Sequence, residues 1–376
     1  MTDRVSERNR LWAATMEGYG DDSITRAHRD SVAQIAAAVG PEGFRRADRE
    51  VEQDHLLAPG ATRSHGGGNR AVEEAPDDFR TCFERDRDRI LHSNSFRRLA
   101  GKTQVFIFPD DHQRTRLTHA LEVAQVAGGV ARATGLNVAL AEAIAIGHDC
   151  GHGPAGHASE EAFDKFVPGG FDHAPWGADV SLRGLNLCLE TLDGIRNHSW
   201  SRPAPSTPEG EVVSWADRIA YVCHDFEDAV SAGIVREDQL PDIVAERCGR
   251  RRGQQLGAFI NAMIRTIQRT GIIGMDAPFA EALAAFRTFN YENIYLRDAS
   301  RDHAHVVVDM LTDLVEYFAQ HSNEIPNVAE RGGLKDDDPV MESVAYVAGM
   351  TDRFACRQAV AVLGWEPSRL PRGIND

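Results

Sequence analysis

Residues 136–149 read LNVALAEAIAIGHD, and this stretch predicts one buried helix that ends in two potential metal ligands. Leu140, Ile144 and His148 follow one another at intervals of four, so they share one face of the helix. His148 therefore lies at the inward-facing end, and Asp149 follows it directly. Two glycines within the next four residues break the helix and let the chain turn around whatever the pair holds.

The segments on either side also predict core helices. Upstream, RTRLTHALEVAQVAGGVARATG (residues 114–135) carries His119 near its first turns and ends at Gly135, a typical stop signal. Downstream, VVSWADRIAYVCHDFEDAV (residues 212–230) predicts a buried helix for which Ser214 is the expected N-cap. At intervals of four, three polar residues share one face of this helix: Asp217, Tyr221 and Asp225.

The rest of the chain favours an all-α fold, a helical core with additional C-terminal helices. Beyond Pro241, stretches such as HVVVDMLTDLVEYFAQH repeat apolar residues at helical spacing. TQVFIF (residues 103–108) is one of few short strand candidates. Near the N-terminus we expect a helix from Ser31 to Val39, followed by a loop over the glycine-rich residues 59–78.

These patterns predict three regions along the chain. Residues 1–78 form an N-terminal extension that is partly loop, and residues 79–235 form the catalytic core. Residues 236–376 form a helical region that packs on the core and contributes to oligomer contacts.

The composition of the chain argues against several functional classes. The 376 residues are 42% hydrophobic and carry a formal charge of -16, which disfavours nucleic acid without excluding it. The sequence has no apolar run of about 20 residues and begins without a hydrophobic secretion signal, so we expect a cytoplasmic protein that is not in a membrane. Six scattered cysteines predict reduced, mostly buried thiols.

Four residues on these helices predict a metal site: His119, His148, Asp149 and Asp217. Each one alone is also compatible with a structural role, such as a core histidine or an aspartate near a helix N-terminus. Together they offer two imidazoles and two carboxylates, a set that suits Mn, Fe, Co, Ni or Mg better than a thiolate-rich zinc site. Buried charges are costly unless they are paired or bound to metal, which favours the metal site.

The order H…HD…D resembles the HD-domain metal-dependent phosphohydrolases, which are all-α. Six blocks are similar to the dGTPase-like deoxynucleoside triphosphate triphosphohydrolases within that superfamily, and they span residues 79–355. The blocks are FERDRDRILHSNSFRRLAGKTQVF, RTRLTHALEVAQVA, HDCGHGPAGHASEE, GLNLCLETLDGI, WADRIAYVCHDFEDA and VAGMTDRFA.

The resemblance implies hydrolysis of a dNTP to deoxynucleoside and inorganic triphosphate, with Mn, Mg, Fe or Co as the divalent metal. By the same resemblance, His157 and Glu160 form the catalytic pair and His173 lies near the phosphates. A titratable imidazole with a carboxylate that fixes its tautomer also fits general acid-base work. Alternatively, His157 caps a helix and Glu160 is solvated, and His152 between them bonds only locally.

The resemblance also implies which residues bind the substrate. Arg116 and Arg218 match phosphate-contacting positions, and guanidinium groups suit phosphate oxygens. Gln104, Tyr221 and Asp225 match positions that read the sugar, with the Tyr221 ring where a ribose 2′-hydroxyl would need room. More positive charge is available, although a solvated helix face is the simpler interpretation, from Arg85, Arg87, Arg89, Arg97, Arg98 and Lys102.

Some features depart from the family pattern. Ala155 stands where the family usually has an aromatic residue, and Gly153 where it commonly has proline. The loop is therefore expected to be smaller and more mobile, and base preference is not implied. APWGAD, which follows His173, also departs from the usual pattern.

Two alternatives remain open at this point. One is another HD-type hydrolase, such as a nucleoside monophosphatase or a hydrolase of (p)ppGpp or cyclic nucleotides. The other is a nucleotide-binding sensor without turnover. The resemblance and the long C-terminal helices also predict a homo-oligomer and allow a nucleotide activator.

Overall fold

The structure is a computed structural model that describes residues 2–16, 18–20, 24–33, 44–106, 108, 113–326 and 338–371. It contains two compact units, Met1–Phe44 and Arg45–Asp376. In the first unit, helix α1 (Thr2–Ala14) precedes an antiparallel pair of two-residue strands, β1 (Tyr19–Gly20) and β2 (Thr25–Arg26). Most of the predicted helix from Ser31 to Val39, residues 34–39, lies outside the described residues.

The second unit is helical throughout, which confirms the all-α prediction. Its first helices are α2 (Arg46–Leu56), α3 (Cys82–His92), α4 (Asn94–Arg98), α5 (Arg116–Thr134), α6 (Val138–Gly147), α7 (His157–Asp164), α8 (His173–Trp176), α9 (Leu189–Arg196) and α10 (Pro208–Ser231). The later helices are α11 (Asp242–Cys248), α12 (Arg252–Thr270), α13 (Ala277–Asn290), α14 (Asp298–Gln320), α15 (Pro339–Ala348) and α16 (Asp352–Leu363).

Helix α6 lies at the centre of the main core and packs against α3, α5 and α10. Leu140 and Ile144 are fully buried, as their shared face predicts, and His148 follows the last turn. Helix α5 ends as predicted at Gly135, which adopts the left-handed conformation with φ of 70°. Helices α5, α6 and α10 thus bring His119, the His148-Asp149 pair and Asp217 to one side of the core.

Helix α10 begins earlier than the sequence analysis predicts. Its N-cap is Thr207, whose side chain accepts a hydrogen bond from Gly210 N, and Pro208 occupies the first turn. Pro at the first helical position is a strong start signal. The prediction that Ser214 is the N-cap is wrong, because Ser214 lies inside the helix and its hydroxyl donates to Gly210 O at 3.2 Å. Asp217 is consequently in the helix interior. A favourable interaction with the helix dipole at the N-terminus therefore does not account for an aspartate at this position.

The predicted loop over residues 59–78 is tied to the core by a buried ion pair. Arg70 contacts Asp86 of α3 at 2.6 Å, and both side chains are fully buried. Asp86 also accepts hydrogen bonds from Cys188 N and Thr191 Oγ1. Buried charges of this kind require such complete pairing. The loop is therefore an ordered part of the catalytic unit.

The strand candidate TQVFIF is wrong for the residues that the structure describes. Thr103 makes only an isolated bridge with Thr115, and the described part of the stretch contains no strand. Asp352 accounts for this local structure, because its Oδ2 accepts hydrogen bonds from Thr103 N at 2.8 Å and from Thr103 Oγ1 at 2.5 Å. Tertiary contacts override the apolar β pattern here.

The C-terminal helices form a second apolar cluster that supports α7. Phe163 of α7 is buried in this cluster together with Leu314 of α14 and Val344 of α15. Asp352, the first residue of α16, accepts a hydrogen bond from Ala155 N at 2.8 Å. Lys102 is buried and donates to His152 O and, at 2.9 Å, to Ala348 O. The C-terminal region therefore fixes the loop between α6 and α7.

Lys102→Met should change how stability depends on pH. Burial lowers the pKa of Lys102 to about 8 from the usual 10.5, so between these values the folded protein binds fewer protons than the unfolded chain. The stability of the wild type relative to Lys102→Met should therefore increase as pH rises from 8 to 10, by up to about 1.4 kcal/mol per pH unit. Urea unfolding at pH 7, 8 and 9 measures this difference. Parallel pH profiles for wild type and Lys102→Met would contradict the assignment.

Candidate active site

The four predicted metal ligands converge at one place in the core. His119 Nε2 lies 3.0 Å from Asp217 Oδ1, and His148 Nε2 lies 3.6 Å from the same oxygen. Asp149 is close to both rings, with Oδ1 at 3.5 Å from His148 Nε2 and Oδ2 at 4.0 Å from His119 Nε2. His119, His148 and Asp149 are buried. Three separate helices thus aim two imidazoles and two carboxylates at one point.

The hydrogen bonds of His148 show that this point suits a cation. His148 Nδ1 lies 2.6 Å from Ala145 O, which can only accept, so Nδ1 carries the proton and Nε2 presents a lone pair. Among the described residues, the buried Nε2 atom has no hydrogen-bond partner. A lone pair that faces two carboxylates is repulsive unless a positive charge lies between them. The residues present therefore fit a divalent metal with nitrogen and oxygen ligands.

The carboxylates of this set are held in the charged form. Burial alone would raise the pKa of Asp149, but Arg116 and the neighbouring histidines outweigh it and lower the pKa well below its usual value. Burial would likewise raise the pKa of Asp217, but the hydrogen bond from His119 outweighs it and lowers the pKa well below its usual value. Deprotonated carboxylates are the form that binds metal.

A second group of polar side chains adjoins the first. His157 Nδ1 lies 3.2 Å from Glu160 Oε1, and His173 Nδ1 lies 2.7 Å from the same oxygen. His152 Nε2 lies 3.2 Å from Asp149 Oδ1 and so connects the two groups. His152 also stacks on His173, with ring centroids 3.7 Å apart. His152 is thus a central residue of the site, although the sequence analysis gives it no definite role.

Glycines between α6 and α7 make this close arrangement possible. A Cβ atom at Gly151 would lie 1.9 Å from His173 O, so only glycine lets the two segments meet. Gly156 has φ of 64°, and a Cβ there would lie 2.6 Å from an Arg116 guanidinium nitrogen. Ala155 also has a positive φ, 59°, which is uncommon for a residue with a side chain. The hydrogen bond to Asp352 stabilises that conformation.

The predicted phosphate-binding arginines lie at the edge of the metal set. Arg116 donates to Asp149 Oδ2 at 2.9 Å, and within the described structure its buried Nε has no partner. Arg218 packs its guanidinium 3.5 Å above the ring of Trp200, an arrangement typical of a cation-π contact. Both arginines are thus held in place by neighbouring side chains.

Two of the three predicted sugar-reading residues have side-chain partners in the described structure. Tyr221 OH accepts a hydrogen bond from Arg287 Nε at 2.9 Å. The two oxygens of Asp225 contact Arg114 and the Tyr295 hydroxyl. Gln104 Oε1 is buried without a partner in the described part of the chain. The sugar-reading roles of Gln104, Tyr221 and Asp225 stay predictions.

Three of the six basic residues named in this region are engaged in ion pairs. Arg85 and Arg89 both contact Glu74, and Arg87 contacts Glu142 at 2.8 Å. Lys102 is buried beneath the glycine loop rather than solvated. These four residues therefore stabilise the fold and are not a free phosphate-binding surface.

The structure adds site residues that the sequence analysis does not single out. His198 is buried, and its ring centroid lies 4.9 Å from that of His148. Arg287 and Tyr295 come from α13 and the segment after it, far along the chain. The sequence signal for His198 is its position soon after the block GLNLCLETLDGI, whereas Arg287 and Tyr295 lie in no recognised block.

The helical fold and its His, His-Asp and Asp set define an HD-domain protein, and sequence comparisons agree. The HD domain profile matches residues 116–222, and the phosphohydrolase-associated domain profile matches residues 273–360. The chain belongs to the family of deoxyguanosinetriphosphate triphosphohydrolase-like proteins, to which it is related along most of its length. No helix among the described residues is long and apolar enough to span a membrane.

Three bacterial members illustrate the relationship. A deoxyguanosinetriphosphate triphosphohydrolase-like protein of Caldanaerobacter subterraneus is 40% identical over 318 residues, which cover 82% of this chain and 93% of the relative. One from Clostridium perfringens is 40% identical over 308 residues, covering 77% and 89%. One from Deinococcus radiodurans is 34% identical over 374 residues, covering 85% and 100%.

Proposed function

We propose that this protein hydrolyses deoxynucleoside triphosphates to deoxynucleoside and inorganic triphosphate with the help of a divalent cation. The observation that supports this most is the contact between the metal set and the second group, made where His152 Nε2 meets Asp149 Oδ1 at 3.2 Å. Hydrolysis of a phosphate ester needs Lewis-acid and acid-base chemistry side by side, and this arrangement supplies residues for both.

In the proposed reaction, water attacks the α-phosphorus and the bond from that phosphorus to the 5′ oxygen breaks. A cation held by His119, His148, Asp149 and Asp217 would supply Lewis-acid chemistry towards phosphate oxygens. His157 gives a proton to the departing 5′ oxygen, and Glu160 orients its ring through Nδ1 at 3.2 Å. Burial alone would raise the pKa of Glu160, but the hydrogen bond with His157 lowers it well below its usual value, so Glu160 remains an acceptor.

Binding a triphosphate requires several positive groups besides the cation. Arg116 contacts Asp149, Arg287 contacts Tyr221, and Arg218 follows Asp217 in the sequence; they come from α5, α13 and α10. Guanidinium groups can form paired hydrogen bonds to phosphate oxygens. Each of the three is already oriented by a neighbour, which lowers the entropy cost of binding.

Tyr221 is proposed to exclude ribonucleotides. Its ring lies one helical turn beyond Asp217, and its hydroxyl is fixed by Arg287 Nε. A ring held rigidly in this position would occupy the space that a ribose 2′-hydroxyl needs. Gln104 and Asp225 would bind the 3′-hydroxyl, and an unsatisfied buried polar group discriminates strongly between substrates.

Tyr221→Ala should admit ribonucleotides more than it harms dNTP turnover. Removing the ring opens the space for a 2′-hydroxyl, so the ratio of kcat/KM for GTP to that for dGTP should rise about 10- to 100-fold. Steady-state assays with matched NTP and dNTP pairs measure this ratio. Tyr221→Phe keeps the ring and should keep the discrimination, and equal ratios in Tyr221→Ala and wild type would remove this role.

A product-resolved turnover screen tests the proposed function. The four dNTPs are supplied singly and mixed with Mn, Mg, Fe or Co, and the products are separated by ion-exchange chromatography. We expect inorganic triphosphate and deoxynucleoside in equal amounts. Activity only in mixtures would support a nucleotide activator, and light scattering of the same samples would test the expected homo-oligomer.

Other products would replace the proposal with a different function. Release of phosphate or pyrophosphate would favour another HD-type phosphohydrolase. Clear binding of nucleotides without turnover under any of the metals would favour a sensor. Both outcomes would contradict triphosphohydrolysis.

A further inference from the structure

We propose that His152, His157, Glu160 and His173 form a second divalent-cation site, and that filling it inhibits the enzyme. The cation-binding part stands on the geometry of these four residues. The inhibitory part rests on the proposed function, because it depends on the roles given there to His157 and Glu160.

The hydrogen bonds of His198 and His173 leave a lone pair on His173. His198 Nδ1 lies 2.8 Å from Ile195 O, so this nitrogen carries the proton and Nε2 is an acceptor. His173 Nε2 lies 3.3 Å from His198 Nε2 and must therefore be the donor. A neutral His173 then presents the lone pair of Nδ1 to Glu160 Oε1 at 2.7 Å, where two acceptors face each other.

The contacts of His152 show independently that a second lone pair faces Glu160. Its Nε2 lies 3.2 Å from Asp149 Oδ1, a carboxylate oxygen that accepts, so the neutral ring carries its proton on Nε2. Its Nδ1 is buried, has no hydrogen-bond partner in the described residues and lies 3.6 Å from Glu160 Oε1. A second lone pair thus faces the same carboxylate oxygen.

The rings of His152 and His173 stack with centroids 3.7 Å apart, so their Nδ1 atoms approach the same carboxylate oxygen together. A single cation between the two nitrogens and the carboxylate would satisfy all three acceptors. His148 in the first site shows the corresponding pattern with the two nitrogens exchanged, because its proton is on Nδ1 and the lone pair of Nε2 faces carboxylates.

The four donor atoms are arranged at distances that suit coordination. They all lie within 4.8 Å of one another. Two ligands that each bind a metal at about 2.0–2.1 Å lie roughly 3.0–3.4 Å apart. The distances from Glu160 Oε1 to the three Nδ1 atoms are 2.7, 3.2 and 3.6 Å, which span that range. The His157 side chain is 76% exposed, so a cation can enter from solvent.

The donor set defines the class of cation. Three imidazole nitrogens and one carboxylate oxygen favour Zn²⁺, Co²⁺ or Ni²⁺ over Mg²⁺, which prefers oxygen. The first site has two nitrogens and two carboxylates and is less selective. A cation in the second site would occupy His157 Nδ1 and Glu160 Oε1, which removes the contact that orients His157. Excess Zn²⁺ should therefore inhibit an enzyme whose first site is filled.

Metal stoichiometry tests the cation site without reference to activity. Metal-free protein is titrated with Co²⁺, followed by visible absorption and by metal analysis after desalting. We expect two equivalents in wild type and one in each of His157→Ala and His173→Ala. Asp217→Ala should also bind one equivalent, in the second site. The exposed His92→Ala is the matched control and should bind two.

The effect on turnover is measured with Zn²⁺ added to wild-type enzyme that holds one equivalent of Mn²⁺. We expect at least a tenfold loss of dNTP turnover as the second equivalent binds, and recovery on mild chelation. One equivalent in wild type, or two in both His157→Ala and His173→Ala, would overturn the cation site. Binding of the second equivalent without loss of turnover would overturn the inhibitory part.

The two proposals fail in different ways. Two equivalents that fall to one in the variants, without turnover of any dNTP, would leave the cation site standing and remove the proposed function. Triphosphate release by a protein that binds a single equivalent would do the opposite. Because His157 is exposed, its variant tests the site even if His173→Ala does not fold.

Discussion

Asp217→Ala should reduce dNTP turnover by at least about a thousandfold and prevent binding of Mn²⁺ at the first site. Asp217 Oδ1 is the oxygen that lies 3.0 Å from His119 Nε2 and 3.6 Å from His148 Nε2, so its loss removes the ligand shared by both rings. Lewis-acid stabilisation contributes several kcal/mol to such reactions, which corresponds to this loss of rate. Turnover assays and metal analysis at one equivalent of added Mn²⁺ measure the two effects.

The fold of Asp217→Ala should remain helical. The substitution leaves in place the apolar residues that bury α10 in the core, such as Val213, Ile219 and Val222. Circular dichroism should therefore be close to that of wild type. Asp238→Ala, at an exposed ion pair with Arg236, is the matched control and should keep both metal and activity. Substantial turnover in Asp217→Ala would contradict the assigned metal site.

His157→Ala should lower kcat by about 10²- to 10⁴-fold, the usual contribution of a general acid or base. Within the described part of the chain, the hydrogen bond and ion pair of His157 are with Glu160 and not with a first-site ligand, so one equivalent of Mn²⁺ should still bind. KM should change much less than kcat, because the arginines proposed to bind the triphosphate are intact. Steady-state kinetics and metal analysis separate these effects.

Added imidazole provides a sharper test of His157. Since the side chain is largely exposed, a small base from solution can enter the space left by His157→Ala and restore part of the lost rate. His92→Ala, which removes another exposed histidine, should retain full activity and show no response to imidazole. A His157→Ala enzyme with nearly normal kcat would show that another group moves the proton.

Much of the core and the metal set could be predicted because both are encoded locally. The stripe of Leu140, Ile144 and His148 depends only on helical periodicity, and it fixes which way His148 faces. The end of α5 at Gly135 likewise follows from local backbone preference. The predicted ligands come together when the three helices pack against one another, and the apolar faces of the helices direct that packing.

Other features are weaker or non-local in the sequence. The start of α10 is local, but Thr207 and Pro208 give a stronger start signal than Ser214, the predicted N-cap. The basic residues of α3 are paired with Glu74 and Glu142, 11 to 55 residues away, and periodicity gives no information about such partners. The division of the chain at residues 78 and 235 stays a prediction.

The hydrogen bonds from Thr103 and Ala155 to Asp352 mean that the C-terminal region is not a separable appendage. A fragment limited to residues 116–222, the extent of the HD domain match, would contain nearly every proposed catalytic group. It would nevertheless lack Asp352, whose carboxylate holds the positive φ of Ala155, and Lys102, which donates a hydrogen bond to His152 O. A truncation just before Asp352 should therefore lower dNTP turnover although every proposed catalytic side chain stays in place, and steady-state assays of the truncated protein measure this loss.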